Sequence, residues 1–187
     1  MRISKEQARK NREIVVETAA RLFRERGFDG VGVSDLMSAA GFTHGGFYNH
    51  FATKDALVSE ALAQAWTEMA AERAKARGLP RLMKAYLSRE TRKAPGSSCP
   101  AAALAGDVAR QPDGVRDVFA DGLEEMIGSV QKLLPEAPGP DSRTRAASLV
   151  ASMVGALILS RAVPDSSPLA DEMLEATLTS ALGRSRL

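Results

Sequence analysis

The side chains best suited to metal binding or nucleophilic chemistry are few: His44, His50 and Cys99 are the only histidines and the only cysteine in 187 residues. Both histidines fall in "GFTHGGFYNHF", residues 41–51, beside a glycine pair and three phenylalanines. A shared metal needs both rings on one helix face, usually four residues apart, with carboxylate or thiolate help. These two are six apart, so on an α-helix they point about 240° from each other, and no His-Glu-x-x-His motif is present. A phosphate-binding loop needs Gly-x4-Gly-Lys-Ser/Thr after a strand, and nothing strand-like precedes Gly41. A Cys–His nucleophilic pair would have to join Cys99 to a histidine in a separate, distant helical unit. The residues point away from an enzyme, from a metal and from a cofactor.

Helical signals come in series around this stretch. Ala, Leu, Arg and Glu are plentiful and aromatics make up only 5% of the chain, a balance that favours helices over strands. "EIVVETAARLFRERG" places Val15, Ala19, Leu22 and Phe23 on one apolar stripe, and Gly27 is a natural stop. A short helix is predicted over about residues 33–40, burying Leu36, Met37 and Ala40, with Gly32 as N-cap and Asp35 near its positive end. Thr43 is placed to cap a third, over residues 44–50, with Phe47 and Phe51 facing inward. A long fourth helix opens at Thr53-Lys54-Asp55, and a fifth carries Leu82, Met83, Tyr86 and Leu87. "KAPGSSCP" and "PEAPGPDS" read as loops. Helices over about 101–110, 114–134, 142–163 and 168–182 complete an all-α chain of about nine helices.

Three helices with a glycine turn between the second and third make a helix-turn-helix arrangement, which suggests double-stranded DNA as the partner. The net charge of +2 decides nothing, but Arg2, Lys5, Arg9, Lys10 and Arg12 face only Glu6 in the first twelve residues. That run fits an electrostatic arm for phosphates, and it fits equally a solvated helix face. Glycines on an exposed face let a backbone press close to DNA. Thr43, Tyr48 and Lys54 offer hydroxyl or ammonium donors there, and Asn49 and the histidines can also hydrogen-bond. The apolar run "AASLVASMVGALILS", residues 146–160, is shorter than the roughly 20 residues a membrane span needs. With no signal-peptide pattern and one cysteine, a cytoplasmic, non-membrane protein is expected. Ala147, Ala151 and Gly155 form a small-residue line within that run. It can lie in a domain core or at a homodimer interface with Val150, Val154 and Ile158 and with Met173, Leu174 and Leu178 of the last helix; the dimer is the preferred reading.

Residues 17–57, "ETAARLFRERGFDGVGVSDLMSAAGFTHGGFYNHFATKDAL", resemble the DNA-binding domain of the TetR family of transcriptional regulators. The Ala-Ala-x-x-Leu-Phe run, the Gly-Phe, the Ala-Gly-x-Thr turn, the Gly-x-Phe-Tyr-x-His-Phe segment and the Lys-Asp-x-Leu start occur in order. The resemblance implies a DNA-binding domain over residues 1–53 and a helical ligand-binding and dimerisation domain over 54–187. It implies that Thr43 caps the recognition helix and touches a phosphate, that His44 projects toward the major groove and that Gly45 allows close approach. Tyr48, His50 and Lys54 would contact phosphates, and Asn49 would join His44 in reading bases. Gly32 and Gly46 depart from the family's usual Ser/Thr and Thr/Ser/Ala, and Gly46 is expected to leave the reading face short of a side chain. The family pattern further implies a homodimeric repressor on a pseudo-palindromic operator, released by a small apolar or amphipathic effector. Trp66, Met69, Met83, Tyr86, Phe119, Leu123, Met126 and Met153 are candidate pocket walls, and all suit a plain core equally. Cys99 in "GSSCPAA" raises a thiol-based redox sensor as the alternative, which would need exposure and a lowered pKa. A helical small-molecule-binding protein or enzyme without DNA binding is the wider rival.

Overall fold

A computed structural model describes residues 4–183. Nine α-helices run in order: α1 (Lys5–Arg26), α2 (Val33–Ala39), α3 (Lys54–Ala74), α4 (Leu79–Tyr86), α5 (Arg89–Lys93), α6 (Pro100–Val108), α7 (Asp113–Gln131), α8 (Pro140–Ala162) and α9 (Leu169–Gly183). Two 3-10 segments, His44–Asn49 and Pro95–Ser97, complete the helical elements, and none of the described residues is in a strand.

Local chemistry explains most boundaries. The Ser4 hydroxyl accepts from the Gln7 amide at 3.1 Å and starts α1, which ends at Gly27, whose φ of 74° suits a residue without Cβ. Thr53 does the same for α3, accepting from the Ala56 amide at 3.1 Å. Val15, Ala19, Leu22 and Phe23 of α1 are buried, as are Leu57, Val58, Ala61, Leu62 and Ala65 of α3, and the two helices pack on each other. α3 also packs along α7, so its apolar residues contribute to one buried cluster that runs from Val15 to Ala181.

Two elements differ from the sequence expectation. The segment after Gly41 is a six-residue 3-10 helix rather than an α-helix. Gly45 and Gly46 each cost such a short helix about 1 kcal/mol of propensity, and so brief a segment gains few i→i+4 bonds to offset it. Only its end is α-like, where the Phe51 amide reaches the Phe47 carbonyl at 3.0 Å. The second difference is α5, an unexpected helix of five residues. Its Ser88 cap accepts from the Thr91 amide, and buried Arg92 anchors it to the end of α8. There Arg92 Nε donates to the Ser160 carbonyl at 2.9 Å, Nη2 to the Val163 carbonyl at 3.0 Å, and Nη1 pairs with Asp165. A cation at the carbonyl end of a helix is favoured by the helix dipole.

α8, expected over residues 142–163, spans Pro140–Ala162, with Pro140 and the polar turn after it joining the apolar run in one helix of 23 residues. Its length and apolarity match those of a membrane span, but it packs against α7, α9 and α6. Val150 and Leu174, expected at a subunit interface, are each 3% exposed within the chain itself, because α8 and α9 close on one another there.

α3 and α7 meet closely in the core. Trp66 is 3% exposed, lies edge-on to Phe119 with centroids 5.6 Å apart, and presses its indole on the backbone of Gly122. A Cβ at residue 122 would land inside that ring. Gly122→Ala is therefore expected to destabilise the chain by about 2 kcal/mol through overpacking. A urea midpoint unchanged at fixed protein concentration would contradict that packing.

Candidate nucleic-acid interface and ligand cleft

The stretch 41–51 divides cleanly into two faces. Phe47 and Phe51 are 1% and 2% exposed, with ring centroids 5.5 Å apart, and Leu36 and Met37 of α2 are buried with them. Gly41, at φ 81°, turns the chain between α2 and the 3-10 segment, where the Phe42 amide reaches the Met37 carbonyl at 2.8 Å. Thr43, His44, Gly45, Tyr48 and Asn49 are exposed and His50 is half-buried. Tyr48 is 66% exposed yet held, since its ring stands edge-on to Phe47 at 5.3 Å and to His44 at 6.1 Å. The two histidines lie in different surroundings, His50 beside the Phe51 ring at 6.3 Å.

The glycine pair has two different settings. A Cβ at Gly45 would meet nothing within 4 Å, so this position is open to a close-approaching surface. A Cβ at Gly46 would touch Met37 Cε at 3.5 Å. Gly46 thus faces α2, and the expectation that its missing side chain thins the reading face is corrected. What is missing is a methyl contact toward the interior.

Three further expectations change for electrostatic reasons. Thr43 has the extended backbone of an N-cap, but its hydroxyl makes no capping bond. Lys54 is half-buried, and its Nζ donates to the Phe28 carbonyl at 2.6 Å, stapling the start of α3 to the loop after α1. The basic N-terminal run is helix from Lys5 onward. Arg9 pairs with Glu6 and Glu13, Lys10 lies 3.7 Å from Glu6, and Arg12 pairs with Glu60 while stacking 4.5 Å from the Phe51 ring centroid. Arg2 lies outside the described residues.

The loop after α1 is also tied to the larger helical body, a connection with no local sequence signal. The Phe28 amide donates to Asp107 Oδ2 on α6 at 3.2 Å. Arg24, 5% exposed, donates through Nε to the Ala20 carbonyl, through Nη1 to the Ser98 carbonyl and through Nη2 to Glu68. Gly96 approaches Glu25 so closely that a Cβ would overlap it.

A cleft of about 880 Å³ opens between α3, α4 and the segment before α6, a size suited to a small organic ligand. Met69, Arg73, Ala76, Leu82, Tyr86 and Cys99 are in its wall. Of the candidate pocket residues, the structure brings Met69 and Tyr86 together there, with Cys99. Trp66, Met83, Met126 and Met153 lie in the buried core, and Phe119 and Leu123 are partly exposed on α7, away from this wall. Arg73 was missed, although it follows Trp66 and Met69 at helical spacing (i, i+3, i+7), which marks a cation on a buried stripe. Burial pulls the Arg73 guanidinium down, opposed by the thiol of Cys99, by Glu125 and by Tyr86. Burial, then Cys99, pushes the Tyr86 phenol well up, so it remains a neutral donor. Cys99 is 1% exposed, its thiol 3.9 Å from Met126 Sδ, so the surface exposure a redox sensor needs is missing and access runs through the cleft.

On α8, Ala147, Val154 and Gly155 are half-exposed and Ala151 and Ile158 are exposed, and Met173 and Leu178 are half-exposed on α9. Leu159, at 56% exposed, extends the same apolar surface.

Residues 15–61 match the sequence model of the bacterial regulatory proteins of the tetR family. Over 58 residues the chain is 36% identical to the HTH-type transcriptional repressor DhaR of Mycobacterium sp. (strain GP1), covering 31% of this chain and 29% of that protein. Over 59 residues it is 36% identical to the HTH-type transcriptional regulator AcrR of Shigella flexneri, covering 32% and 27%. The match therefore spans under a third of these curated relatives. Among solved structures, the reduced form of E. coli NemR superposes with a TM-score of 0.76 at 21% identity, over 93% of this chain and 96% of that one. A TetR transcriptional regulator from Chloroflexus aurantiacus gives 0.73 at 26% identity, over 95% of each chain.

The reassigned lysine can be checked directly. Lys54→Met keeps the aliphatic stem but leaves the Phe28 carbonyl without its charged donor, and is expected to lower urea stability by about 1 to 2 kcal/mol. Wild-type stability in that variant would remove the staple and return Lys54 to the surface.

Proposed function

Because the chain belongs to the TetR family of bacterial regulatory proteins, we propose that it is a ligand-responsive transcriptional regulator, a repressor that binds a pseudo-palindromic operator as a homodimer. The observation that carries this reading is the outer face of residues 43–50. There an open glycine, an exposed histidine, a held tyrosine and an exposed asparagine sit on a segment backed by two buried phenylalanines. Such a face can press its backbone toward a duplex while His44 and Asn49 reach base edges and Thr43, Tyr48 and His50 meet phosphates. Lys54 then acts on DNA through position, holding α3 to the loop that follows α1.

In this reading residues 1–53 bind DNA, and residues 54–187 hold effector and partner. The apolar surface of α8 and α9 pairs with its copy about a two-fold axis, which sets the two reading segments roughly 34 to 36 Å apart on successive major-groove turns. An effector in the cleft binds one spacing better than the other and so shifts the population away from the DNA-bound form. Such a regulator works in the cytoplasm and needs no cofactor.

Selection of bound duplexes from a random library, followed by salt titration, tests this reading. The expected result is a pseudo-palindromic consensus, with affinity falling as salt rises. His44→Ala is expected to reduce discrimination at one position of each half-site by about tenfold. Absence of any salt-sensitive duplex binding would sink the proposal.

A second reading, thiol-based sensing, is favoured by the place of Cys99 in the cleft wall. It is in keeping with the fold likeness to E. coli NemR, whose crystal structure is of its reduced form. It predicts that Cys99→Ser abolishes release from DNA by an oxidant while leaving duplex affinity intact. Oxidant release that survives the substitution eliminates it.

A further inference from the structure

The cleft wall contains a cation with no adequate anion. Arg73 is 7% exposed, and neither its Nε nor its Nη2 has a hydrogen-bond partner. Among the described residues its ion-pair partner is Glu125, 3.6 Å from Nη2, a carboxylate 58% exposed to solvent. A buried guanidinium left in this state is costly, because it has lost its water without gaining bonds. Elsewhere in the chain, buried cations are satisfied: Arg24 and Arg92 each bond a carboxylate and backbone carbonyls.

The identity of the two unused atoms is informative. Nε and Nη2 lie along one edge of the guanidinium, the edge that grips a carboxylate with two parallel bonds. This chain uses that edge twice on its surface, where Arg89 holds Asp171 and Arg9 holds Glu6 through the same two nitrogens. At Arg73 the fork is formed but holds no hydrogen-bonded carboxylate, Glu125 standing off Nη2 at 3.6 Å. Tyr86, in the same wall, has a buried hydroxyl whose one interaction of hydrogen-bond type is with the weakly accepting Cys99 thiol, leaving it without an oxygen or nitrogen partner.

The surrounding charges reinforce the gap. Of the wall's acids, Glu68 is bonded to Arg24 at 2.6 Å, Glu72 to Lys75 at 2.5 Å, and Glu90 is exposed. Behind the wall, Arg161 donates to the Arg92 and Thr91 carbonyls and the Ser98 hydroxyl, all neutral oxygens, and its Nη1 is unpartnered. The rest of the wall includes apolar Met69, Ala76 and Leu82.

We infer that the effector is a carboxylate on an apolar body, its head held side-on by Arg73 with the Tyr86 hydroxyl as a further donor, in the cleft that Cys99 also lines. The inference rests on the ligand-responsive reading and specifies its chemistry. The two donors are shielded from solvent in the free chain, so the carboxylate reaches them by parting the wall, and its arrival is itself a conformational event.

The test is calorimetry on the full chain, free of DNA, with two matched pairs of probes: octanoate against octanamide, and 4-phenylbutanoate against 4-phenylbutanamide. The expected result is that at least one carboxylate binds about tenfold or more tightly than its amide, consistent with a charge-assisted bidentate contact. Arg73→Met and Tyr86→Phe should each shrink that preference while leaving amide affinity in place. Tyr86→Phe, which keeps the ring, decides the matter if Arg73→Met does not fold. The inference is overturned if neither carboxylate outbinds its amide, or if the preference survives in the folded variants. A chain that selects carboxylates but binds no duplex overturns the regulator reading alone.

Discussion

Arg24 sits in the last turn of α1, almost without solvent, and each hydrogen bond that makes its burial tolerable reaches a different part of the chain. Nε is satisfied by α1 itself, Nη1 by the Ser98 carbonyl just before α6, and Nη2 by Glu68 in the middle of α3. Because a buried charge must be paired and bonded or the fold pays several kcal/mol, α1 cannot tilt without breaking bonds to both. The Phe28 amide on Asp107 and the Lys54 ammonium on the Phe28 carbonyl extend the same joint into the following loop. The exposed face of residues 43–50 is thereby held in a defined relation to the cleft, which is what any coupling between the two would require.

The outward face itself is chemically sparse. Its shape depends on two phenylalanines beneath it and on a turn glycine before it, and its polar groups are short or aromatic. The basic residues upstream are mostly engaged with Glu6, Glu13 and Glu60, which lowers the diffuse positive field the sequence suggests. Affinity for a polyanion would then come from close approach and backbone amides as much as from free cations.

Buried arginines behave in two ways in this chain. Arg24 and Arg92 are structural: apart from the Arg24 bond to the Ala20 carbonyl of its own helix, their bonds reach carbonyls and carboxylates of other elements. Arg73 joins nothing tightly, and Arg161 is held only by neutral oxygens. The contrast separates cations that hold the fold together from one with donors left over for something else, a distinction that charge counting along the chain cannot make.

Much was legible in the sequence because the governing rules are local. Helical period placed the α1 and α3 stripes, Gly27 and Gly41 marked turns, and spacing put Phe47 and Phe51 on one inner face. The motif order in residues 17–57 carried the family. Local rules failed where neighbours in space are strangers in sequence. Lys54 looked like a surface donor until the Phe28 carbonyl met it, Gly46 looked like part of the reading face until Met37 stood over it, and Val150 and Leu174 looked like interface until α8 and α9 closed on them. The sequence by itself determined the longer helices and which side of each is apolar, since those follow from periods of a few residues, while α5 and the 3-10 form of His44–Asn49 lay beyond it. Only the tertiary structure decided which polar side chains are engaged inside and which are left over, because partnership depends on contacts between residues tens of positions apart.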